Sequence, residues 1–417
     1  MKVLIIDQDG TGLSFALRAS VAGHSVRWFV RPKSNSNALG GGFKGVEKID
    51  NWVASAGWAD LIFSTGNSDY LEKLEFFSKR GHPVFAATPA SVRLQTNALE
   101  SIQSLVDAGV DSAPYSIFPT MQAAERHVIK TNERYVFKSI GDEEGSPRTY
   151  VSQSPADLVA WLRRTAPPKG GVMLQQIVDG VKLRVTRFMG STGWVGPYNE
   201  SFTYPAGTVI SYFTPSSKLG NSTLDKLADA LLARGHRGAV TLSCVVDAAG
   251  KPWPTAVTCG LSWPTANVML GATRGDPIRW MRDALDGKDT ATFTTDIGCG
   301  VSLSHSDGAG VPIYGVTRGV AVHVHPQAVQ MLRLPDTAKD GKGIVERDMW
   351  ATAGSLVAVV DGFGSTVKQA TKRAYGTVDK LYVAGGAAHR AVGDVLQHHL
   401  PKLHALGYAT HCNYGTA

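Results

Sequence analysis

The first 90 residues alternate short, continuously apolar runs with helix-patterned stretches, and this alternation constrains the fold more than any other feature. The apolar runs are Lys2–Ile6, Ser25–Val30, Ala59–Ser64 and Pro83–Ala86, and a helix pattern extends from about Leu13 to Ala22. Strands that are apolar on both sides must be buried on both faces, which is typical of a parallel sheet covered by helices. The sequence therefore predicts an α/β fold that begins with such a sheet.

The turn after the first apolar run contains Asp9, Gly10, Thr11 and Gly12. A glycine turn between a strand and a helix can hold a ligand phosphate at the helix N-terminus, so these four residues form a candidate substrate turn. The full dinucleotide fingerprint G-x-G-x-x-G is absent, which argues against NAD binding. The alternative interpretation is a tight turn without a ligand.

Length and composition exclude several classes of protein. A chain of 417 residues is too long for one compact core and suggests roughly two to four domains. No apolar run is long enough to span a bilayer, and the basic residues behind the net charge of +7 are scattered, so neither membrane nor nucleic-acid binding is predicted. Four widely spaced cysteines favour reduced thiols in the cytoplasm and argue against a structural zinc site.

Helices and strands can also be predicted further along the chain. Tyr135–Ser139 has the pattern of a strand that carries Lys138, Ser154 has the position of a helix N-cap, and Thr223–Arg234 has the pattern of an amphipathic helix. Ser355–Val360 is predicted as a buried strand, the turn Asp361–Gly364 is expected to follow it, and Ser365 is expected to lead into a helix over Val367–Asp379.

His323 and His325 are two residues apart, so on a strand they would point to the same side, as metal ligands do. No carboxylate or third histidine stands at a matching spacing. This absence favours a solvated strand over a metal site.

Five segments follow one another in an order and at a spacing that match a known family: Ala87–Leu94, Val110–Phe118, Gln175–Gly180, Asp247–Pro252 and Val357–Tyr375. Over roughly residues 1–395 the chain resembles the glycinamide ribonucleotide synthetases, which are ATP-grasp ligases. The resemblance implies an α/β chain with the ATP-grasp fold and three domains. These are an N-terminal Rossmann-like pre-ATP-grasp domain over 1–88, an ATP-grasp domain over 89–295 with a lid at about 115–178, and a C-terminal α/β domain over 296–417.

The resemblance also implies an ATP site. Lys138 would contact the nucleotide phosphates, and backbone N–H groups between Gly141 and Gly145 would cover them. The residues implied to edge the adenine are Gln175, Gln176, Ile177 and Val178. The candidate additional cations are Arg148, Lys182 and Arg184. Lys182 and Arg184 would share one face of a strand, for which a solvated face is the alternative interpretation.

In this family ATP phosphorylates a carboxylate, and an amine then attacks the acyl phosphate. ATP and Mg²⁺ are therefore the implied cofactors, and a small-molecule carboxylate and an amine are the implied partners of a monomer or small homo-oligomer. The family's two magnesium ligands, however, fall on Ala256 and Thr258, and a phosphate-binding lysine falls on Ile102. A methyl group cannot bind magnesium, and a hydroxyl replaces an anionic oxygen poorly. Carboxylates that would have to substitute are Asp142, Glu143, Glu144 and Asp247.

Three functions follow from these residues. The first is an ATP-dependent carboxylate–amine ligase with a changed substrate. The second is a catalytically inactive ATP-grasp scaffold that binds a nucleotide or a protein. The third is a true glycinamide ribonucleotide synthetase of purine biosynthesis.

Overall fold

A computed structural model describes residues 1–31, 38–141, 149–204, 207–306, 308–316, 322–338, 343–388, 390 and 394–415. Two helices of the 3₁₀ type cover Val53–Trp58 and Leu224–Leu227. The α-helices are α1 Leu13–Val21, α2 Leu71–Ser78, α3 Pro89–Thr96, α4 Ala98–Asp107, α5 Met121–Thr131, α6 Pro155–Arg164, α7 Lys218–Ser222, α8 Ala228–Ala233, α9 Thr265–Ala272, α10 Arg279–Leu285, α11 Val367–Val378 and α12 Asp394–Ala405.

The strands form a five-stranded, a four-stranded and a nine-stranded sheet and two two-stranded sheets. Their bounds are β1 Lys2–Asp7, β2 Ser25–Val30, β3 Val46–Lys48, β4 Leu61–Ser64, β5 Val84–Phe85, β6 Tyr115–Phe118, β7 Tyr135–Ser139, β8 Thr149–Val151, β9 Val172–Gln176, β10 Val181–Met189, β11 Trp194–Tyr204, β12 Thr208–Thr214, β13 Gly238–Val246, β14 Pro252–Cys259, β15 Ile297–His305, β16 Ile313–Tyr314, β17 Val324–Pro326, β18 Val329–Thr337, β19 Ile344–Thr352, β20 Leu356–Gly364, β21 Tyr382–Val383 and β22 Gly386–Ala388. The two-stranded sheets pair β16 with β21 and β18 with β19.

The five-stranded sheet near the N-terminus is parallel, in the order β3-β2-β1-β4-β5, as the sequence predicts. Side chains of β1 alternate between two hydrophobic clusters: Val3 and Ile5 belong to one, and Leu4 and Ile6 belong to the other. Because a strand presents successive side chains to opposite faces, a sheet covered on both faces requires a continuous apolar run.

The four-stranded sheet has the order β6-β9-β7-β8, and the helices α5 and α6 pack against it. Both helices begin at a hydroxyl cap. The Thr120 side chain accepts a hydrogen bond from Ala123 N, and the Ser154 side chain accepts one from Asp157 N, which confirms the predicted cap.

The nine-stranded sheet has the order β14-β13-β10-β11-β12-β15-β20-β17, with β22 also paired to β15. Its strands come from both sides of residue 295, because β12 pairs with β15 in antiparallel register. The predicted boundary between the second and third domains therefore crosses a continuous sheet.

Two local predictions are wrong. The segment predicted as one helix over Thr223–Arg234 is a 3₁₀ turn followed by the short helix α8. The segment Asp361–Gly364 is the second half of β20 instead of a turn, and α11 begins after Thr366, whose side chain caps it. Glycines at three positions from 354 to 364 made this strand look shorter than it is.

The hairpin of β18 and β19 reaches back to the N-terminal part of the chain. Met331 N donates to Gly41 O at 2.8 Å, and Gly40 N donates to Val329 O at 2.7 Å. Within the described residues, no helix is both long and apolar enough to cross a membrane.

Candidate functional site

A cleft of about 250 Å³ lies between α4, β7 and β14. It brings together four residues that the sequence singles out, although they are far apart along the chain: Ile102, Lys138, Ala256 and Thr258. The cleft joins one edge of the four-stranded sheet to one edge of the nine-stranded sheet. The positions that correspond to the family's phosphate and metal contacts therefore meet at one place.

Lys138 is the cation at the centre of this cleft. Its neighbours Phe137 and Ser139 are buried on the other face of β7, so strand alternation directs Lys138 toward the cleft. The Lys138 ammonium donates a hydrogen bond to the backbone oxygen of Thr255 at 2.8 Å, across the cleft. Burial lowers the pKa of Lys138 to about 8, so the side chain is still mainly protonated at neutral pH.

Arg184 lies in the same row of the nine-stranded sheet as Ala256, a position at which the resemblance implies a metal ligand. On β10 it pairs with Ser243 of β13, and Ser243 pairs with Ala256 of β14. The Arg184 Nε donates to the Ser243 hydroxyl at 3.1 Å, and burial lowers the pKa of the guanidinium. A cation therefore stands two strands away from the position where the family places an anionic ligand.

The next row of the same sheet face carries hydroxyl groups. Thr186 pairs with Thr241, and Thr241 pairs with Thr258. The hydroxyls of Thr186 and Thr241 are 2.7 Å apart. This row offers neutral oxygen atoms and N–H or O–H donors, but no anionic oxygen.

The residues present do not fit a magnesium ion. Among the described residues, no carboxylate lines the cleft, and no three His, Cys, Asp or Glu side chains are placed to hold a metal. Asp247 does not substitute, because its carboxylate accepts from Ala249 N, Lys251 N and Trp253 Nε1 and thereby holds the turn between β13 and β14. Several predicted site residues lie outside the described residues: Asp142, Glu143, Glu144, Gly145 and Arg148.

The segment implied to edge the adenine begins at the end of β9. Gln175 is buried, and its amide donates to the Ser112 hydroxyl at 3.1 Å and to Ala113 O at 3.3 Å. Gln176 is exposed, and Ile177 and Val178 are half-buried. The Gln175 amide therefore fixes β9 to the segment before β6, and the contact of this segment with adenine stays a prediction.

Two further predicted site residues lie within the described part of the chain, Gly141 and Lys182. Gly141 has a φ of 101°, and its Cα lies against Gly170, where a side chain would meet backbone atoms. Lys182 is exposed on β10, on the same face as Arg184. Lys182 is thus solvated, as the alternative interpretation of a solvated strand face expects, whereas Arg184 is not.

The candidate substrate turn is closed by a carboxylate of the chain itself. Asp7 is fully buried at the end of β1, and it accepts from Gly10 N at 3.1 Å and from Gly12 N at 2.7 Å. It also accepts from Asp9 N, and Thr11 N donates to the Asp9 carboxylate. The four N–H groups of the turn are therefore occupied in this structure, which supports the interpretation of a turn without a ligand.

Asp7 also sets a pH dependence of stability. Burial, together with the nearby charge of Asp9, raises the pKa of Asp7 from 3.8 to about 6, while hydrogen bonds from Gly12, Asp9 and Thr65 oppose this rise. The folded state then binds the proton more tightly than the unfolded state, so the stability from this group is lost as pH rises from about 4 to about 6.

In the native chain, the free energy of unfolding should therefore fall by at most about 3 kcal/mol across that pH interval. In Asp7→Asn this fall should be absent. Urea unfolding of both proteins at pH values between about 4 and 7 measures this difference. Asp179→Asn, at an exposed carboxylate, is the matched control and should leave the slope unchanged. An unchanged slope in Asp7→Asn would contradict the assignment.

His323 and His325 do not lie on a solvated strand, which corrects the interpretation from their spacing. His325 is 1% exposed, and both histidines bond one fully buried carboxylate. The Asp361 carboxylate meets His323 Nδ1 at 2.8 Å and His325 Nε2 at 2.6 Å. Burial opposes ionisation of Asp361, but the two histidines hold its pKa below the ordinary value. We call these three residues the His–Asp cluster.

No local pattern predicts this cluster, because its carboxylate comes from another strand. β17 pairs with β20 in antiparallel register, which places Asp361 beside the two histidines. The cluster also explains a glycine in α9: a Cβ at Gly271 would lie 2.0 Å from an Asp361 carboxylate oxygen. Only a residue without a side chain permits this approach of α9 to β20.

No protein-family model matches the chain. Several solved structures superpose on nearly all of it. The phosphoribosylamine–glycine ligase of Thermotoga maritima does so with a TM-score of 0.68 at 16% identity, covering 94% of this chain and 99% of that one. Biotin carboxylase of Campylobacter jejuni gives a TM-score of 0.62 at 14% identity, covering 93% and 92%.

The N5-carboxyaminoimidazole ribonucleotide synthetase of Thermotoga maritima gives a TM-score of 0.58 at 14% identity, covering 92% of this chain and 99% of that one. At such low identities the likeness shows the fold and does not show the activity. The architecture is that of the ATP-grasp ligases: a parallel N-terminal sheet followed by antiparallel sheets around a cleft. The chain therefore has the α/β ATP-grasp fold over nearly its whole length.

Proposed function

We propose that the chain binds ATP in this cleft and uses it to join a carboxylate to an amine through an acyl phosphate. The observation that carries the proposal is the position of Lys138 in the cleft, with its ammonium 2.8 Å from Thr255 O of β14, while Arg184 lies in the same sheet row as Ala256. Structures with the same fold support it, since one N5-carboxyaminoimidazole ribonucleotide synthetase holds ADP and one biotin carboxylase domain holds MgADP.

Charge is the first requirement of such a site. A transferring phosphoryl group is stabilised mainly by cations and by N–H donors that are already in place. Lys138 contributes one positive charge from the four-stranded sheet, and Arg184 contributes another from the nine-stranded sheet. An arginine guanidinium binds phosphate oxygens in a bidentate manner, so Arg184 would supply part of the charge that the family takes from a metal.

The substrates should differ from those of the glycinamide ribonucleotide synthetases. In the candidate substrate turn, the backbone N–H groups of residues 9–12 donate to the carboxylates of Asp7 and Asp9. None of these four groups is left to bind a substrate phosphate. Ile102 and Ala256 make parts of the cleft apolar at positions where the resemblance implies charged side chains in the glycinamide ribonucleotide synthetases. These replacements favour a changed carboxylate and amine over a true glycinamide ribonucleotide synthetase of purine biosynthesis.

A second candidate function is that of a nucleotide-binding scaffold without catalysis. The observation in its favour is the absence of any carboxylate among the described residues that line the cleft. Losing a single transition-state donor typically costs on the order of 10²–10³ in rate. A cleft without metal ligands can therefore hold a nucleotide without transferring its phosphoryl group.

A screen of ATP consumption separates the two functions. Purified protein is incubated with ATP and with pairs drawn from a panel of carboxylates and amines, and release of ADP is followed with and without Mg²⁺. The ligase proposal expects at least one pair that gives ADP and a C–N product, with both lost in Lys138→Ala. ADP release in no pair, combined with measurable ATP binding, would support the scaffold instead.

A further inference from the structure

A second concave site, separate from the nucleotide cleft, lies between α1 and the hairpin of β18 and β19. Its volume is about 770 Å³, within the range of sites for small organic ligands. It shares no lining residue with the nucleotide cleft. We call it the α1 pocket.

The walls of the α1 pocket are predominantly apolar. Leu17 and Val21 line it from α1, and Phe43, Met331 and Trp350 line it from the hairpin side. The rings of Phe43 and Trp350 meet edge to face with centroids 5.8 Å apart, which fixes an aromatic wall. Val21 is 86% exposed, a large value for an apolar side chain at the rim of a cavity. A ligand with an apolar body would cover this surface.

The α1 pocket also contains a cation that has no partner among the residues that the structure describes. Arg18 lines it and is half-buried, and no residue of the described ranges forms a hydrogen bond or an ion pair with its guanidinium. A guanidinium has five N–H donors, and leaving them unused in a partly desolvated site is unfavourable. Burial lowers the pKa of Arg18, while the charge of Asp361 partly compensates.

The nearest buried carboxylate does not neutralise Arg18 by direct bonding. Both oxygens of Asp361 already bond the imidazoles of His323 and His325. The other charged groups that line the pocket, Lys44 and Asp348, are exposed. The donors of Arg18 therefore remain available to a ligand that enters from solvent.

We propose that the α1 pocket binds a small organic carboxylate with an aromatic or aliphatic body. Its carboxylate pairs with the Arg18 guanidinium in a bidentate manner, and its body lies against Leu17, Met331 and the Phe43–Trp350 wall. An apolar amine would meet an uncompensated cation there, and a bare inorganic anion would leave the walls uncovered. The site thus selects for both charge and apolar surface, independently of the nucleotide cleft.

The test uses two probes with the same body and different charge, phenylbutyrate and phenylbutyramide, on the full chain. Each displaces anilinonaphthalene sulfonate, whose fluorescence reports occupancy of an apolar anion site. The acid should bind roughly 10- to 100-fold more tightly than the amide, because a hydrogen-bonded charge pair accounts for the difference. Equal affinities, or no displacement by either probe, would overturn the proposal.

Two variants of pocket residues and one control variant locate the effect. Arg18→Met keeps an unbranched side chain and should abolish the preference for the acid, whereas Lys73→Met, at an exposed lysine of α2, should preserve it. Trp350→Leu should weaken the binding of both probes equally. If Arg18→Met does not fold, Trp350→Leu provides the test. A preference that persists in Arg18→Met, or binding unchanged in Trp350→Leu, would place the probes elsewhere and refute the site.

Discussion

Replacing Lys138 with alanine is expected to weaken ATP binding by roughly 10- to 100-fold, because a charge-assisted contact to phosphate is lost from a partly desolvated site. Lys138 is the cation that lines the described part of the cleft, and its ammonium lies 2.8 Å from Thr255 O. The measurement is the dissociation constant of ATP for both proteins at constant salt. Lys73→Ala, at an exposed lysine of α2, is the matched control and should change the affinity little.

The pH dependence of this binding distinguishes a phosphate contact from a merely structural role. Since burial lowers the pKa of Lys138 to about 8, its positive charge is lost as pH rises through that value. ATP affinity of the native chain should therefore fall above about pH 8, and the variant should lack this fall. Binding by Lys138→Ala with native affinity and a native pH profile would contradict the role of Lys138.

Asp361→Ala is expected to destabilise the fold by about 3–5 kcal/mol, since it removes a buried carboxylate that bonds the buried His325 and the half-buried His323. His325 is 1% exposed, so bulk solvent does not reach its imidazole to replace the carboxylate oxygen at 2.6 Å. Chemical unfolding gives the change in the free energy of unfolding. Asp179→Ala should cost little, because Asp179 is exposed.

The position of Gly271 offers an independent check on the same packing. Gly271→Ala would place a methyl carbon 2.0 Å from the Asp361 carboxylate, so α9 must move away from β20. A loss of stability in both variants supports the buried His–Asp cluster. A native free energy of unfolding in Asp361→Ala would show that the two histidines do not depend on this carboxylate.

Patterns of local periodicity were sufficient for most of the N-terminal sheet. Val3, Leu4, Ile5 and Ile6 alternate between two cores, and such a run has one common structural solution, a strand covered on both faces. The caps of α6 and of other helices could be predicted for the same reason: a hydroxyl before a helical pattern satisfies an N–H group locally.

Contacts between distant segments could not be predicted from periodicity. Asp361 is 36 residues from His325 in the chain, and only the pairing of β17 with β20 brings them together. Arg184 likewise looked like a residue of a solvated strand face, until the register of β10, β13 and β14 placed it in a row with Ala256. Register is a property of the whole sheet, which a single strand does not encode.

The substrate turn shows a different limit. Its glycines predict a turn at the start of α1, and the structure has that turn, with Gly10 at a φ of 100°. Whether such a turn can bind a phosphate depends on whether a side chain of the protein already accepts hydrogen bonds from its N–H groups. Here the acceptor is Asp7, the last residue of β1, which a sequence pattern reads only as the end of an apolar run.

Calorimetric titration of the purified protein with ATP, with and without Mg²⁺, tests most directly whether cations of the chain hold the nucleotide in place of a metal. We expect ATP to bind in the absence of Mg²⁺, with an affinity that added Mg²⁺ leaves unchanged. In Lys138→Ala we expect a large loss of ATP affinity. Binding that requires Mg²⁺ would contradict the first expectation, because the chain would then have metal ligands outside the described cleft. Absence of binding under both conditions would contradict the nucleotide site itself.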